Sequence, residues 1–217
     1  MSELFSEVDQ DLRREQLKRI WDRYSLLIIA VAILIIGGVG GWRGYTYFET
    51  KKAVEAGAAF DRAADLSEQK KHAEAESAFV KLAAEAPSGY RALARLRAAS
   101  EAATRDPAAA VKMYDEIIAD NGVAVTERDL ARIRSGGVLV DTAAYDALLP
   151  RLEPASTNTG TYRHTARELL ALSAWRANNA VATRQWLDMI ANDGETPATL
   201  RTRAEALAAL LPPAAKS

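Results

Sequence analysis

The residue types most often used for catalysis or metal binding are few and scattered in this chain. The 217 residues include no Cys, which excludes disulfide frameworks, Cys-ligated zinc and thiol chemistry. The two histidines, His72 and His164, have no His or Cys three or four positions away that would complete a metal site. We therefore expect no catalytic residue, no metal and no cofactor, and we predict both histidines to be surface groups near turns between helices.

Two further segments resemble catalytic motifs only in part. Ser135-Gly136-Gly137 lacks the G-x-S-x-G pattern of a nucleophile elbow. The acidic pair Asp115 and Glu116 occurs in a chain with 28 Lys/Arg and 29 Asp/Glu, in which solvated helix surfaces account for such pairs. The net charge of −1 also disfavours binding to nucleic acid. The sequence predicts a protein that is not an enzyme.

Arginines recur with a fixed spacing along the second part of the chain. Four of them are separated by 35 residues each: Arg62, Arg97, Arg132 and Arg167. A guanidinium group pairs with carboxylates through two parallel hydrogen bonds, so an arginine ladder on one face would suit a carboxylate-bearing partner. The alternative is a solvated helix face on which the arginines pair with Glu and Asp of the same chain.

The same 35-residue period organises apolar residues at helical spacing, with one small residue followed by two large ones in three of the four copies. The first copies are Ala75, Phe79 and Leu82, then Ala110, Tyr114 and Ile117, then Tyr145, Leu149 and Leu152, and a later copy is Ala182, Trp186 and Met189. Pro and Gly mark the breaks between them. With Pro87 after the first copy, the pattern resembles the second helix of a tetratricopeptide repeat. We predict an all-α fold, a divergent tetratricopeptide-like α-solenoid.

The end of the chain reads as a terminal helix that covers the last repeat. Thr196-Pro197 is predicted to provide the N-cap and the first helical residue of this element. Leu200, Ala204 and Leu207 would then face the preceding repeat, as expected for the capping helix of a solenoid.

Near the N-terminus, an uncharged run of 19 residues, Tyr24–Trp42, is long enough for a single transmembrane helix. Aromatic residues bracket the run, as at membrane–water interfaces. A cleaved signal peptide is the main alternative, but its apolar region would be shorter and would end in small residues. We predict three regions: an N-terminal cytoplasmic amphipathic tail over residues 1–23, a transmembrane helix over 24–42 and a tetratricopeptide-like helical repeat domain over 43–217.

Glycines at the end of this run form two G-x-x-x-G spacings, Gly37/Gly41 and Gly40/Gly44. Such spacing allows two transmembrane helices to approach closely, and simple tolerance of Gly in membrane helices is the alternative. Five Lys/Arg precede the run and four lie in the 20 residues after it, so charge favours a cytoplasmic N-terminus only slightly.

Taken together, the order of these segments resembles the YfgM-like family of bacterial inner-membrane proteins, ancillary subunits of the Sec translocon. The resemblance is carried by Phe5–Arg14, Trp21–Tyr24, Gly57–Phe60, the repeats, and Gly194–Ala204, which is similar to the alphaproteobacterial form. It implies a single-pass protein of the bacterial inner membrane with its N-terminus in the cytoplasm and its repeat domain in the periplasm. It also implies partners: the SecYEG translocon, periplasmic chaperones and exported polypeptides.

We therefore expect a membrane-anchored protein-binding module that assists the handover of exported proteins to chaperones. Two alternatives remain. One is a membrane scaffold that self-associates as a homo-oligomer through the Gly-rich helix, and the other is a cytoplasm-facing repeat adaptor unrelated to export.

Overall fold

The computed structural model describes the backbone of residues 2–212 and the side-chain surroundings of residues 18, 21–27 and 29–212. Within those residues the regular structure is helical and includes no β-strand. Nine α-helices follow one another in this part of the chain: α1 Ser2–Glu68, α2 His72–Glu85, α3 Ser88–Ala103, α4 Pro107–Ala119, α5 Val125–Leu139, α6 Tyr145–Leu152, α7 Arg163–Arg176, α8 Ala180–Ala191 and α9 Ala198–Ala209. A 3₁₀ turn, Glu153–Ser156, continues α6.

The chain divides into two compact units, Met1–Lys52 and Ala53–Ser217. In the first unit, α1 includes an 18-residue window with a mean hydropathy of 2.4, none of which is buried. By length and composition this helix can cross a membrane. Most side chains of the amphipathic tail predicted over residues 1–23 lie outside the described residues, and Trp21, which is described, is exposed.

The second unit is a stack of helices with four successive apolar cores. Each core lies between three consecutive helices, starting with the end of α1, α2 and α3 and finishing with α7, α8 and α9. A helix such as α3 contributes Ala94 to one core and Ala99 to the next. Because each repeat contacts only its neighbours, this is the architecture of an α-solenoid, and the all-α prediction is confirmed.

Local chemistry explains where the helices begin and end. Asp106 caps α4 by accepting a hydrogen bond from the Ala109 amide at 3.0 Å, and Asn179 caps α8 in the same way through Ala182. Lys70 and Asn178 have φ values of 62° and 56°, so both turns between paired helices pass through the left-handed region.

The predicted start of the last helix is wrong by one residue. The helix α9 begins at Ala198, with Pro197 before it, and Thr196 does not cap it. The hydroxyl of Thr196 is buried and donates to the Ile190 carbonyl at 2.8 Å instead. The helix does cover the final core, because Leu200 and Ala204 are buried there.

The predicted apolar columns are confirmed in the first two repeats and displaced in the others. Ala75, Phe79 and Leu82 are buried, and so are their counterparts in α4. In the third repeat the buried positions are Leu148, Leu152 and Ala155 rather than Tyr145, Leu149 and Leu152. The fourth repeat buries Ala182, as predicted, but its other buried positions are Thr183, Leu187 and Ile190, while Met189 is exposed.

Loop length is the physical reason for the displacement. The break between α2 and α3 consists of Ala86 and Pro87, whereas the break between α4 and α5 runs from residue 120 to residue 124. The start of α6 therefore follows the start of α4 by 38 residues, whereas α4 follows α2 by 35. A fixed period cannot follow that change.

Candidate protein-interaction surface

The second unit has two unequal layers of helices. Helices α3, α5, α7 and α9 approach one another in succession with Cα atoms within 8 Å, whereas no Cα atoms of α2 and α4, of α4 and α6, or of α6 and α8 come that close. Long side chains bridge two of these wider gaps: Arg151 of α6 pairs with Asp115 of α4, and Trp186 of α8 donates to Tyr145 of α6. We refer to α3, α5 and α7 as the inner layer and to α2, α4, α6 and α8 as the outer layer. The closer spacing of the inner-layer helices makes theirs the concave side of the stack, the side that solenoids commonly offer to partners.

Charge is divided between these layers. The inner layer contains nine arginines and four acidic residues, and none of its cations is a lysine. The outer layer contains seven acidic residues and four cations. The near-zero net charge of the whole chain therefore conceals a basic inner layer.

The four arginines of the 35-residue column have different surroundings. Arg62 and Arg97 are exposed, Arg132 is half-buried, and Arg167 is only 1% exposed. Arg62 donates from Nε to the carbonyl of Ala58 at 3.1 Å, a contact within its own helix. The column is therefore not one exposed face in the structure.

The packing of the cores gives the true correspondence between α3 and α5. Ala94 and Ala131 both pack towards the preceding core, while Leu96 and Ile133 pack towards the following one. Corresponding residues of these two helices are thus 37 residues apart. Arg132 therefore corresponds to Arg95 rather than to Arg97.

Arg95 and Arg167 close their repeats in the same way. Arg95 donates to Asp120, the residue after α4, at 2.6 Å, and Arg167 donates to Asp193, just after α8, at 2.9 Å. We call this contact, between an inner-layer arginine and the aspartate after the outer-layer helix of the same repeat, the Arg–Asp clasp. In the third repeat, Arg132 instead lies 3.5 Å from Asp129 of its own helix.

Both clasp aspartates have a lowered pKa. The side-chain hydrogen bond from Arg95 lowers the pKa of Asp120, helped by the backbone N–H of Gly122. The hydrogen bond from Arg163 is the largest cause lowering the pKa of Asp193, opposed by desolvation. The same contacts with Asp193 and Glu195 raise the pKa of Arg163, so both charges persist across the physiological range.

Arg167 is held by four acceptors. Besides Asp193 it donates to the carbonyls of Ser156 and Met189, at 3.0 and 3.2 Å, and to Asn158 at 2.8 Å. These contacts fasten the loop after α6 and the loop after α8 to α7. A buried guanidinium with this many partners is structural, and it is not available to a ligand.

Both histidines differ from the predicted surface groups. His72 is half-buried and its Nδ1 lies 2.7 Å from Oε2 of Glu101, a buried carboxylate that also accepts from Ser67 at 2.6 Å. His164 has a side chain that is 14% exposed, and its Nε2 lies 3.1 Å from Asp193. No group of three His, Cys, Asp or Glu residues that could hold a metal ion is found in the described part of the chain.

One repeated motif escaped the 35-residue search. Arg91-Ala-Leu-Ala-Arg95-Leu-Arg97 in α3 recurs as Arg128-Asp-Leu-Ala-Arg132-Ile-Arg134 in α5, 37 residues later. Its last arginine is exposed in both copies, and in the side chains that the structure describes neither Arg97 nor Arg134 forms an ion pair. A search that allowed the period to vary would have found this pair.

The predicted helix-contact glycines lie in the first unit. A Cβ atom added at Gly37, Gly40, Gly41 or Gly44 would meet nothing within 4 Å, so both G-x-x-x-G spacings leave a bare strip of backbone. The side chains of Trp42, Tyr45 and Phe48 beside them are exposed.

Stacked helix pairs with a concave charged layer define a solenoid scaffold for binding other proteins. A family model described as a tetratricopeptide repeat-like domain matches residues 18–169, and the chain belongs to this family. Domains of this kind are in general protein-interaction modules and not enzymes. No curated protein and no solved structure matches the chain.

Proposed function

We propose that this protein is a membrane-anchored interaction module of the bacterial inner membrane that works beside the SecYEG translocon. In this proposal residues 1–23 lie in the cytoplasm, 24–42 span the membrane, and the repeat domain of 43–217 lies in the periplasm. There it would receive exported polypeptides and pass them to chaperones. The partners and the orientation come from the resemblance to the YfgM-like family.

The observation that carries the proposal is the attachment of an unburied apolar helix to a protein-binding solenoid. The window of mean hydropathy 2.4 has no protein cover. A membrane anchor confines the repeats to a surface and raises their effective concentration near membrane partners. A family whose members bind proteins supplies the second half of the argument.

Crosslinking in native membranes, followed by mass spectrometry, tests the partners. Recovery of the Sec channel together with exported polypeptides is the expected result. Recovery of no translocon subunit and no exported polypeptide would refute the proposed role in export.

Protease treatment of spheroplasts tests the orientation. We expect the repeats to be digested from outside while residues 1–23 stay protected. Protection of the repeats would instead identify a cytoplasm-facing adaptor.

The bare glycine strip favours a second candidate function, a scaffold that self-associates through its transmembrane helix. Replacing Gly37 and Gly41 by Leu, or Gly40 and Gly44 by Leu, would fill the strip and separate the helices. In this case crosslinking would recover only further copies of the same chain, and the Leu variants would abolish those products.

A further inference from the structure

We propose that the inner-layer surface around Arg97 and Arg134 binds an extended, acidic segment of a partner polypeptide. This inference rests on the proposed function as a protein-interaction module and names the chemistry of its partner. We call the surface the Arg97/Arg134 face, formed by these two arginines with Leu93 and Leu130.

The two arginines are equivalent, exposed and uncommitted. They lie at the same position of α3 and α5, because corresponding residues of these helices are 37 apart, and the two helices are in direct contact. The neighbouring arginines of the motif are occupied, Arg95 by Asp120 and Arg132 by Asp129. Within the described residues no carboxylate satisfies Arg97 or Arg134, so their charge is available to a ligand.

Apolar side chains accompany the charges. Leu93 precedes Arg97 by one helical turn and is 42% exposed, and Leu130 holds the same place before Arg134 and is half-buried. A partner segment that fits this face therefore alternates carboxylates with apolar side chains. A purely polar polyanion would leave the exposed leucine surface uncovered.

A polypeptide fits better than a lipid surface or a nucleic acid. A guanidinium matches carboxylates and phosphates alike, so the discrimination comes from the exposed Leu93 beside Arg97, which suits the apolar side chains of a polypeptide. The outer layer has an excess of acidic residues, and the whole chain has a net charge of −1, so attraction to an extended polyanion is local rather than general.

The helix spacing sets the spacing of the acids. Packed helices lie about 8–10 Å apart, and an extended chain advances about 3.3–3.6 Å per residue. In a polyproline II segment, which rises about 3.1 Å per residue with three residues per turn, every third side chain lies on the same side, about 9 Å from the last. Such a segment crossing α3 and α5 would thus place carboxylates on Arg97 and Arg134 when its acidic residues are three positions apart.

Fluorescence anisotropy with the full-length protein in zwitterionic nanodiscs tests the proposal. The probe is a labelled peptide with Asp at every third position and Leu or Ala between, and a peptide with Asn in place of Asp is the reference. We expect binding of the Asp peptide only, with affinity falling as salt rises. The double variant Arg97→Gln/Arg134→Gln should weaken it by about tenfold, as expected for two exposed ion pairs.

The matched control is Lys81→Gln/Lys112→Gln, which removes two exposed charges from the outer layer and should leave the affinity unchanged. Equal loss in both double variants would show a general charge effect and overturn the proposal. So would equal binding of the Asn peptide, or stronger binding of single-stranded DNA or phosphatidylserine vesicles than of the Asp peptide. Thermal unfolding of each variant checks that the fold is intact, and a face variant that unfolds would be replaced by the single variants.

This outcome is separable from that of the proposed function. Absence of translocon crosslinks with intact peptide binding would refute the role in export and leave the Arg97/Arg134 face in place. Translocon crosslinks without peptide binding would support the role in export and refute binding at the Arg97/Arg134 face.

Discussion

At the scale of single residues, the arginines of the inner layer fall into two groups, those that form ion pairs within a repeat and those that are exposed. Arg95 and Arg167 hold repeats closed, whereas Arg97 and Arg134 are left exposed. The sequence shows that arginines recur, because the spacing between them can be counted directly. It does not reveal which of them are buried, because corresponding residues of α3 and α5 are 37 rather than 35 positions apart, and two residues move a side chain about 200° around a helix.

The first prediction concerns the buried arginine. Arg167→Met should lower the free energy of unfolding by about 3 kcal/mol, because two carbonyls and Asn158 lose their donor inside the fold. Arg97→Met, on the exposed side of α3, should change it by less than about 0.5 kcal/mol. Urea unfolding of both variants in the same detergent measures the contrast, and equal effects would contradict the structural role of Arg167.

The second prediction follows from the lowered pKa of Asp193. An unfolded Asp has a pKa of about 3.9, and the folded value lies below it. The stabilising contribution of Asp193 is therefore fully present above about pH 5 and is lost as the pH falls through the folded pKa. The stability difference between the native chain and Asp193→Asn should be constant from pH 7 to pH 5 and shrink below about pH 4. A difference that grows in acid would reverse the sign of this linkage.

At the scale of helices, a glycine pair in α5 reports how closely the third repeat is packed. A Cβ atom at Gly136 would lie 2.7 Å from Cδ2 of Leu152, which is fully buried, whereas one at Gly137 would meet nothing within 4 Å. From the sequence, Ser135-Gly136-Gly137 was rejected as a catalytic motif and Gly136-Gly137 was predicted to be a break between helices, which is wrong because both glycines lie inside α5. The sequence could not predict that Gly136 lets α5 approach α6, because it does not show which of two adjacent glycines packs against the neighbouring helix.

The third prediction uses this pair as its own control. Gly137→Ala should stabilise the protein by up to about 1 kcal/mol, because Ala favours a helix over Gly. Gly136→Ala gains the same helix preference but overpacks the core at a cost of about 1–3 kcal/mol. Thermal unfolding should therefore rank Gly137→Ala as the more stable variant by about 1–3 kcal/mol, and the opposite ranking would mean that α6 does not pack on Gly136 as described.

The positions of the buried residues were predictable only in those repeats whose spacing matches the 35-residue period. The columns at Ala75 and Ala110 are correct because the start of α4 follows the start of α2 by 35 residues, the same as the predicted period. The columns at Tyr145 and Ala182 are displaced because the connection before α5 is longer and because α6 continues through Pro150 into a 3₁₀ turn. Pro150 was expected to end the helix, yet it lies inside α6, where its ring removes the one intrahelical bond to the carbonyl of Asp146 and the helix continues to Leu152.

At the scale of the whole molecule, the fourth prediction concerns the anchor. Ile33→Arg/Ile36→Arg places two charges in the apolar window, and each charge costs about 2.5–3.5 kcal/mol at the centre of a membrane helix. After an alkaline wash and flotation, the double variant should be missing from the floating membrane fraction, whereas Ile33→Leu/Ile36→Leu should float with the membranes. Flotation of the Arg variant with the membranes would contradict insertion of this segment.

The fold class of the molecule could be predicted from its sequence, whereas most of its individual side-chain contacts could not. A long uncharged run and a helical period are statistical properties of many residues, so they survive local errors in register. The availability of one guanidinium depends on a single contact, such as that between Arg95 and Asp120. For this reason the sequence predicts the solenoid but does not predict which of its arginines are paired within the fold and which are exposed.

The Arg–Asp clasp also bears on how such a chain can change over evolutionary time. Each clasp joins an inner helix to the loop that ends the same repeat, as Arg95 does with Asp120 and Arg167 with Asp193. The ion pair that closes a clasped pair of helices thus lies within that pair, so the pair can be regarded as a structural cassette. Gene duplication or loss of one cassette would leave every such closure intact, so that only the contacts between successive repeats, apolar ones and polar ones such as His72 with Glu101, would have to be matched again.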